Sequence, residues 1–427
     1  MRVFLIVWFG QLISLIGSGL TSFALGVWVY QRTGSVTQFS LILLFAMLPT
    51  VLVSPVAGAV VDRWNRRWCM IVSDSGAGVT TVAIALLLAT GSLQIWHLYV
   101  AVGLSSVCKA FQLPAYTAST SLLVPKKDLP RATGMVQSAQ ACAQLISPLL
   151  AGVLLGLVQL TGVILIDLAT FLFALITLLL VRFPDAKTVA PPKEEKSSLW
   201  REVIEGWTYI IVRPGLLMLM ILFALDNFVG GLVEVLLTPL VLSFASVTVL
   251  GTIQSIGGMG MLLGSLAISI WGGPKPLIRG VFIFDLLSHL CILAFGLRTD
   301  AALFAVANFI FFFSLPLVNG WCDAIFLRKV APDIQGRFFA TINMICYSCI
   351  PLAYLVAGPL VERIFEPLMA ANGLLAGSIG QIIGVGPGRG IGLLFITMEI
   401  PVLLITIAAY RYPRLRFVED ELPDAIE

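Results

Sequence analysis

The chain has 427 residues, of which 59% are hydrophobic and only 11% charged, against about 25% charged in a soluble domain. A mean hydropathy of +0.99 excludes a single soluble core, and a net charge of +3, scattered over short loops, excludes a nucleic-acid surface. Two histidines and seven dispersed cysteines leave little material for a metal centre or Ser-His-Asp chemistry. The expectation is an all-α membrane protein that moves something, with no catalytic centre, metal or cofactor.

A membrane helix needs about 20 mainly apolar residues. Such runs fall at 3–30, 37–62, 68–90, 96–122, 131–158, 161–182, 213–243, 247–272, 277–297, 301–325, 338–361 and 390–411. These are twelve predicted transmembrane helices. The first run has no small-residue cleavage site and reads as a retained helix. Lysine and arginine gather in the loops after even-numbered spans; only Arg32, Arg298, Arg363 and Arg389 lie on the other side, and Lys109 lies within a span. That bias places both termini in the cytoplasm and the chain in the cell membrane.

The second run closes on Gly58-Ala-Val-Val-Asp62-Arg63-Trp-Asn-Arg66-Arg67. Gly58 and Asp62 share a helical face. A glycine there admits a neighbouring helix, and the acid can accept from the N–H groups of that helix's N-terminus. The spacing predicts that Asp62 docks near Gly336 to Phe339, and that Arg66 or Arg67 pairs with Asp128. This stretch resembles the loop between helices two and three of the major facilitator superfamily, Gly-x-x-x-Asp-Arg-x-x-Arg-Arg/Lys. The resemblance implies twelve helices in two pseudo-symmetric six-helix halves, with Gly58, Asp62, Arg63, Arg66, Arg67 and Asp128 forming a conformational gate.

The rest of the chain fits such a duplication. Pro184 to Ser198 reads as a polar linker, and Ser198 to Arg213 as an amphipathic helix at the membrane surface, with Trp200, Val203, Ile204, Trp207, Ile210 and Ile211 on one face. The expected organisation is an N-terminal half over 1–183, a linker over 184–212 and a C-terminal half over 213–412, with a cytoplasmic tail over 413–427. The halves echo each other: Arg131 precedes Gln137 by six and Ala151-Gly152 by twenty, as Arg337 precedes Asn343 and Ala357-Gly358. Residues 362–389, with Gly384-Val-Gly-Pro-Gly-Arg-Gly, lack a preceding strand or phosphate-loop spacing and read as a flexible external loop. The tail from Glu419 is expected to be mobile. Cys346 and Cys349 lie in an apolar span and read as small buried hydrophobes.

Ionisable groups in spans are costly and usually face a partner or cavity. Asp226, Asp167, Lys109, Glu234 and Asp323 are the candidate proton or substrate path, while Asp285, His289 and Glu399 read as structural or interfacial. Asp226, beside Asn227 and near Gly230-Gly231, has the best claim to carry a proton, and Lys109 is a candidate competitor for its carboxylate. The strings Phe9-Gly-Gln-Leu-Ile-Ser-Leu-Ile-Gly, Tyr30-Gln-Arg-Thr-Gly-Ser, Ala110-Phe-Gln-Leu-Pro-Ala, Leu123-Val-Pro and Ile166-Asp167-Leu resemble the macrolide-efflux and siderophore-exporter (enterobactin-exporter-like) branch. The resemblance covers about 1–412. It departs at Ser105, where the family often carries arginine, and at Ala143-x-x-x-Ser147-Pro148-x-x-Ala151-Gly152, where the antiporter glycines are replaced. In the second half the loop motif has decayed to Gly264-Ser-Leu-Ala-Ile-Ser, without an acid.

What this implies is a secondary active exporter of a hydrophobic small molecule, working by alternating access as a proton-coupled antiporter and a functional monomer. Its partners would be that substrate, protons and the lipid bilayer. The alternatives are a lipid or lysophospholipid translocator and a non-transporting membrane partner of a biosynthetic enzyme.

Overall fold

The computed structural model describes residues 2–125, 128–181, 199–331, 334–416 and 419, although the side chains of Arg2, Pro55, Ala59, Asp62, Arg63, Ser121, Leu122, Pro130, 199–204 (including Trp200, Val203 and Ile204), Arg414 and Arg416 fall outside the description. No strand occurs among the described residues. The helices are α1 (Arg2–Thr33), α2 (Val36–Arg63), α3 (Arg66–Ala89), α4 (Ile95–Leu123), α5 (Leu129–Leu180), α6 (Leu199–Ile211), α7 (Pro214–Leu242) and α8 (Val247–Trp271). They continue as α9 (Leu277–Leu297), α10 (Ala301–Lys329), α11 (Gln335–Leu360), α12 (Glu366–Met369), α13 (Gly380–Ile383), α14 (Arg389–Arg411) and α15 (Pro413–Arg416). The termini follow local chemistry: Ser35 accepts from the Gln38 N–H to start α2, Asn65 from Arg67 and Trp68 to start α3, and Asp300 from Leu303 to start α10.

Among the described residues, eleven helices are long and apolar enough to cross a membrane. One of them is double. Helix α5 has 52 residues and is interrupted at Gln159, with φ 57° and ψ −176°. At 1.5 Å per residue an unbroken helix of that length would span more than twice the roughly 30 Å of hydrocarbon. The predicted fifth and sixth spans meet at this break, and the fold is a twelve-span α-helical membrane protein.

The chain divides into two compact units, 1–190 with 246–255, and 191–245 with 256–427. The start of α8 therefore belongs with the first unit, and the linker helix α6 with the second. In the first unit α1 lies against α5, where Gly10, Gly17 and Gly19 face Thr177, Thr170 and Ser147; small residues let helices close without a hydrophobic driving force. The Pro148 to Gly152 stretch of α5 meets Val247 and Gly251 of α8 at backbone distance, and Ser255 Oγ donates to the Leu145 carbonyl at 2.6 Å. Apolar clusters around Phe4, Met70 and Leu178, and around Leu98, Val163 and Ile164, fill the unit.

In the second unit the remainder of α8 packs on α10 through Gly257, Gly260 and Gly264. Leu216, Trp321, Phe326 and Phe338 centre its core. Helix α6 is attached by packing as well as charge: Gly206 abuts the Arg337 backbone and Thr341, and Ile210 is fully buried. Glu205 and Arg337 form an ion pair at 2.6 Å.

The external segment expected to be a flexible loop is structured, whereas of the tail from Glu419 onward only Glu419 itself lies among the described residues. Residues Val361–Phe365 form a π-helical turn leading into α12, Met369 and Ile383 are buried, and the Gly388 N–H donates to Glu366 Oε1 at 2.9 Å. Arg389 is buried and donates from Nη1 to the Ile383 carbonyl at 2.7 Å. In the tail, Glu419 Oε2 accepts from the Ile278 N–H at 2.9 Å, at the first turn of α9.

Candidate functional site

The gate motif is only partly described. The Asp62 docking expectation rests on a side chain outside the described residues, as does any role of Arg63. Arg66 donates from Nη1 to the Ala118 carbonyl at 3.1 Å. Arg67 donates to the carbonyls of Leu178 and Leu179 at 3.2 and 2.8 Å. Arg67 thus satisfies carbonyls in the last turn of α5, where intrahelical donors run out, while Arg66 reaches a carbonyl within α4. The expected pairing with Asp128 is not formed among the described residues. No described atom lies within 4 Å of where a Gly58 Cβ would sit.

The first unit carries two polar groupings. Lys109 on α4 is accessible and has Asp167 on α5 as its electrostatic partner, and Ser18 Oγ donates to Asp167 Oδ1 at 3.4 Å. The cation expected to address Asp226 has an acid of its own unit beside it. A second grouping was not anticipated: buried Asp74 on α3 accepts from Gln11 Nε2 at 3.1 Å, and Gln11 Oε1 accepts from Gln112 Nε2 at 2.8 Å. An acid inside the third apolar run was the available signal.

The second unit concentrates its ionisable groups. His289 on α9 has Nδ1 2.9 Å from Glu399 Oε2 of α14. Its Nε2 lies 3.4 Å from Asp226 Oδ1 of α7 and 3.6 Å from Asp285 Oδ1, one turn earlier on α9. Glu399 and His289 are almost wholly buried, and the Asp226 side chain remains 25% exposed. The ring nitrogens, both Glu399 oxygens and Asp226 Oδ1 complete no hydrogen bond among the described residues. Three carboxylates therefore meet one imidazole. Even a protonated ring leaves negative charge in excess, and uncompensated charge in hydrocarbon is expensive. Ligand atoms of Asp226, Asp285 and His289 lie within 4.8 Å of one another, close enough to share a cation. Asp285, His289 and Glu399, expected to be structural, are brought together with Asp226. The i,i+4 spacing of Asp285 and His289 was the visible part of this signal.

Glu234 on α7 is accessible although Leu232, Val233, Val235 and Leu236 around it are buried. Its Oε2 accepts from the Tyr354 hydroxyl of α11. Asp323 on α10 is exposed.

The profile of the Major Facilitator Superfamily matches residues 7–354. The chain belongs to this superfamily. Macrolide efflux protein A of Streptococcus pyogenes is 27% identical over 383 residues, covering 84% of this chain and 90% of its relative. Multidrug efflux pump Tap of Mycolicibacterium fortuitum is 21% identical over 428 residues, covering 96% of both chains. Among solved structures, the nucleoside transporter NupG superposes with a TM-score of 0.71 at 15% identity, covering 96% of this chain and all of that one. A bacterial homologue of the lysosomal transporter Spinster gives 0.68 at 16% identity, covering 98% of each. These structures share the fold. The efflux relatives share sequence along most of the chain, and this member of the superfamily is a multi-pass membrane transporter.

Proposed function

We propose that this superfamily member exports a hydrophobic small molecule, macrolide-like in size and character, across the cell membrane by alternating access, with protons moving inward as the driving ion. The export reading is carried by the similarity to macrolide and multidrug efflux proteins over 84–96% of the chain. Proton coupling follows from the charge imbalance around His289. Asp226, the partly exposed member, is the entry point, and the buried Glu399 and Asp285 are its interior partners. A proton on Asp226 lowers the cost of enclosing the cluster, and its release raises it. Such an ion shifts an equilibrium only through different affinities for the two states, and the difference in enclosure supplies that difference.

The test uses the full chain in proteoliposomes loaded with erythromycin under an imposed pH gradient. Asp226→Asn is expected to lower gradient-driven efflux by at least about tenfold, equivalent to about 1.4 kcal/mol of lost coupling, while erythromycin binding persists. Asp167→Asn should retain most of the efflux. Wild-type efflux that continues after the proton gradient is collapsed would remove the coupling. Loss in the Asp167 variant alone would transfer the site to the first unit.

A further inference from the structure

Helices α9 and α14 meet at backbone distance where Gly296 faces Gly392. Seven residues back along α9 stands His289, and seven residues on along α14 stands Glu399. Seven residues are about two turns on one helical face, so the glycine contact sets the register that brings Glu399 Oε2 to 2.9 Å from His289 Nδ1. The other ring nitrogen, Nε2, faces Asp226 Oδ1 at 3.4 Å and Asp285 Oδ1 at 3.6 Å. A charge-assisted hydrogen bond runs at about 2.7–2.9 Å, and Nε2 completes none among the described residues. Both separations match instead the edges of a metal coordination shell. Nitrogen and carboxylate ligands about 2.0–2.2 Å from a tetrahedral Zn²⁺ stand about 3.3–3.6 Å apart.

The side chain that carries Nε2 is only 3% exposed. An unpartnered, buried ligand atom is therefore aimed at two carboxylate oxygens, and the three atoms lie within 4.8 Å of one another. Glu399 stands behind the ring in the place of a second-shell carboxylate. A metal-binding imidazole gives its other N–H to such a group, which fixes the tautomer and leaves the ligand nitrogen its lone pair. Charge points the same way: a divalent cation offsets two carboxylates, where an imidazolium offsets one. The nitrogen disfavours Mg²⁺ and Ca²⁺, which take oxygen shells, and suits a transition-metal cation. Two histidines in the whole chain count against a metal centre by number. One suffices where the fold delivers two carboxylates to the same nitrogen.

We infer that Asp226, Asp285 and His289 form a binding site for a divalent transition-metal cation of the Zn²⁺ class, with Glu399 as the positioning residue behind His289. Asp226 Oδ1, Asp285 Oδ1 and His289 Nε2 are the ligands, and solvent takes the remaining position. The Asp226 side chain, 25% exposed, gives the ion its way in. The bound ion ties α7 to α9. It also occupies the carboxylate that the coupling reading assigns to the proton, so metal and proton compete there. The site itself does not depend on the export reading.

The experiment titrates Zn²⁺ and Co²⁺ into the tag-free full chain in detergent, without cargo or gradient. Calorimetry should find one saturable Zn²⁺ per chain, and Co²⁺ should give visible ligand-field bands that Zn²⁺ abolishes. Glu399→Gln, which changes no ligand atom, should weaken Zn²⁺ about 10–100-fold while the Co²⁺ bands keep their positions. His289→Gln and Asp285→Asn, which remove ligands, should exceed that loss and abolish the bands. Asp226→Cys keeps a ligand in place and should add a sulfur-to-cobalt charge-transfer band, which separates a lost ligand from a lost fold. His97→Gln, at the other histidine of the chain, should leave binding unchanged. Absence of saturable binding would overturn the site, as would full Zn²⁺ affinity in His289→Gln or loss of affinity in His97→Gln. Sulfur charge transfer in the wild type would overturn it too, by placing the ion on cysteines. None of these outcomes bears on export, which is read separately as efflux.

Discussion

The two units handle buried polarity differently. In the first, Asp167 has Lys109 and Ser18, and Asp74 has Gln11, which Gln112 holds in turn. Each acid has a donor from its own unit. In the second, three carboxylates share His289, and Glu234 has only a phenol. The first arrangement gives each acid a hydrogen-bond donor from the chain's own side chains. The second crowds three carboxylates around one imidazole. A transporter has reason to keep one half rigidly satisfied and the other responsive, since an ion can bias only what it changes.

The largest effect that tests this comparison comes from removing the imidazole. His289→Ala deletes the one group that can carry positive charge among Asp226, Asp285 and Glu399. Breaking a buried ion pair by truncating one partner costs about 3–5 kcal/mol, and unfolding in detergent should show a loss on that scale. Lys109→Met should cost less, about 1 kcal/mol, because Lys109 enters none of the ion pairs formed among the described residues. Comparable losses from the two substitutions would abolish the distinction between the units.

A smaller effect sharpens the description of the first unit. Gln11→Leu removes the amide that donates to Asp74 and leaves the Gln112 amide without its acceptor. An unsatisfied buried group costs about 1–3 kcal/mol. Replacing both partners by apolar groups is close to neutral, so Gln11→Leu combined with Asp74→Leu should recover much of the loss in the same unfolding measurement. If the double variant is worse than the single one, Asp74 has a role beyond accepting from Gln11.

The sequence carried much of this fold and less of the site. Apolar runs of membrane length are a one-dimensional signal, so the twelve spans were legible. Even the break at Gln159 falls in the gap expected between the fifth and sixth. The structured segment from Val361 to Arg389 was not legible, because its order comes from Glu366 meeting the Gly388 N–H and Arg389 reaching Ile383. Those contacts are tertiary, and a glycine-rich composition conceals them. Asp226, Asp167 and Glu234 stood out as acids in apolar spans. That Asp285 and His289 share a face could be counted from their spacing. Their meeting with Glu399 depends on how α9 and α14 register against each other, which no local pattern specifies. Asp74 obeys the same rule as the other acids. The expected pairing of Arg66 or Arg67 with Asp128 failed for a physical reason. Backbone carbonyls compete for guanidinium groups, and charge counting ignores them.

The smallest predicted effect supplies a reference for the larger ones. Glu205 of α6 and Arg337 of α11 pair at 2.6 Å with side chains 37% and 43% exposed. An exposed pair contributes about 0.2–1 kcal/mol, so Glu205→Gln should barely shift unfolding. Salt separates this pair from the buried groups. At about 1 M ionic strength the screening length falls to about 3 Å, and the effect of Glu205→Gln should vanish. The loss from His289→Ala should persist, since salt screens buried groups much less. The attachment of α6 should also survive high salt, because Gly206 against the Arg337 backbone and buried Ile210 hold it by packing. Protection of Ile210 and its neighbours from amide exchange, measured at low and high salt, reads that attachment directly. Release of α6 by salt alone would mean that charge rather than packing fixes the linker helix to the second unit. The contrast between surface and buried polarity would then fail at its simplest point.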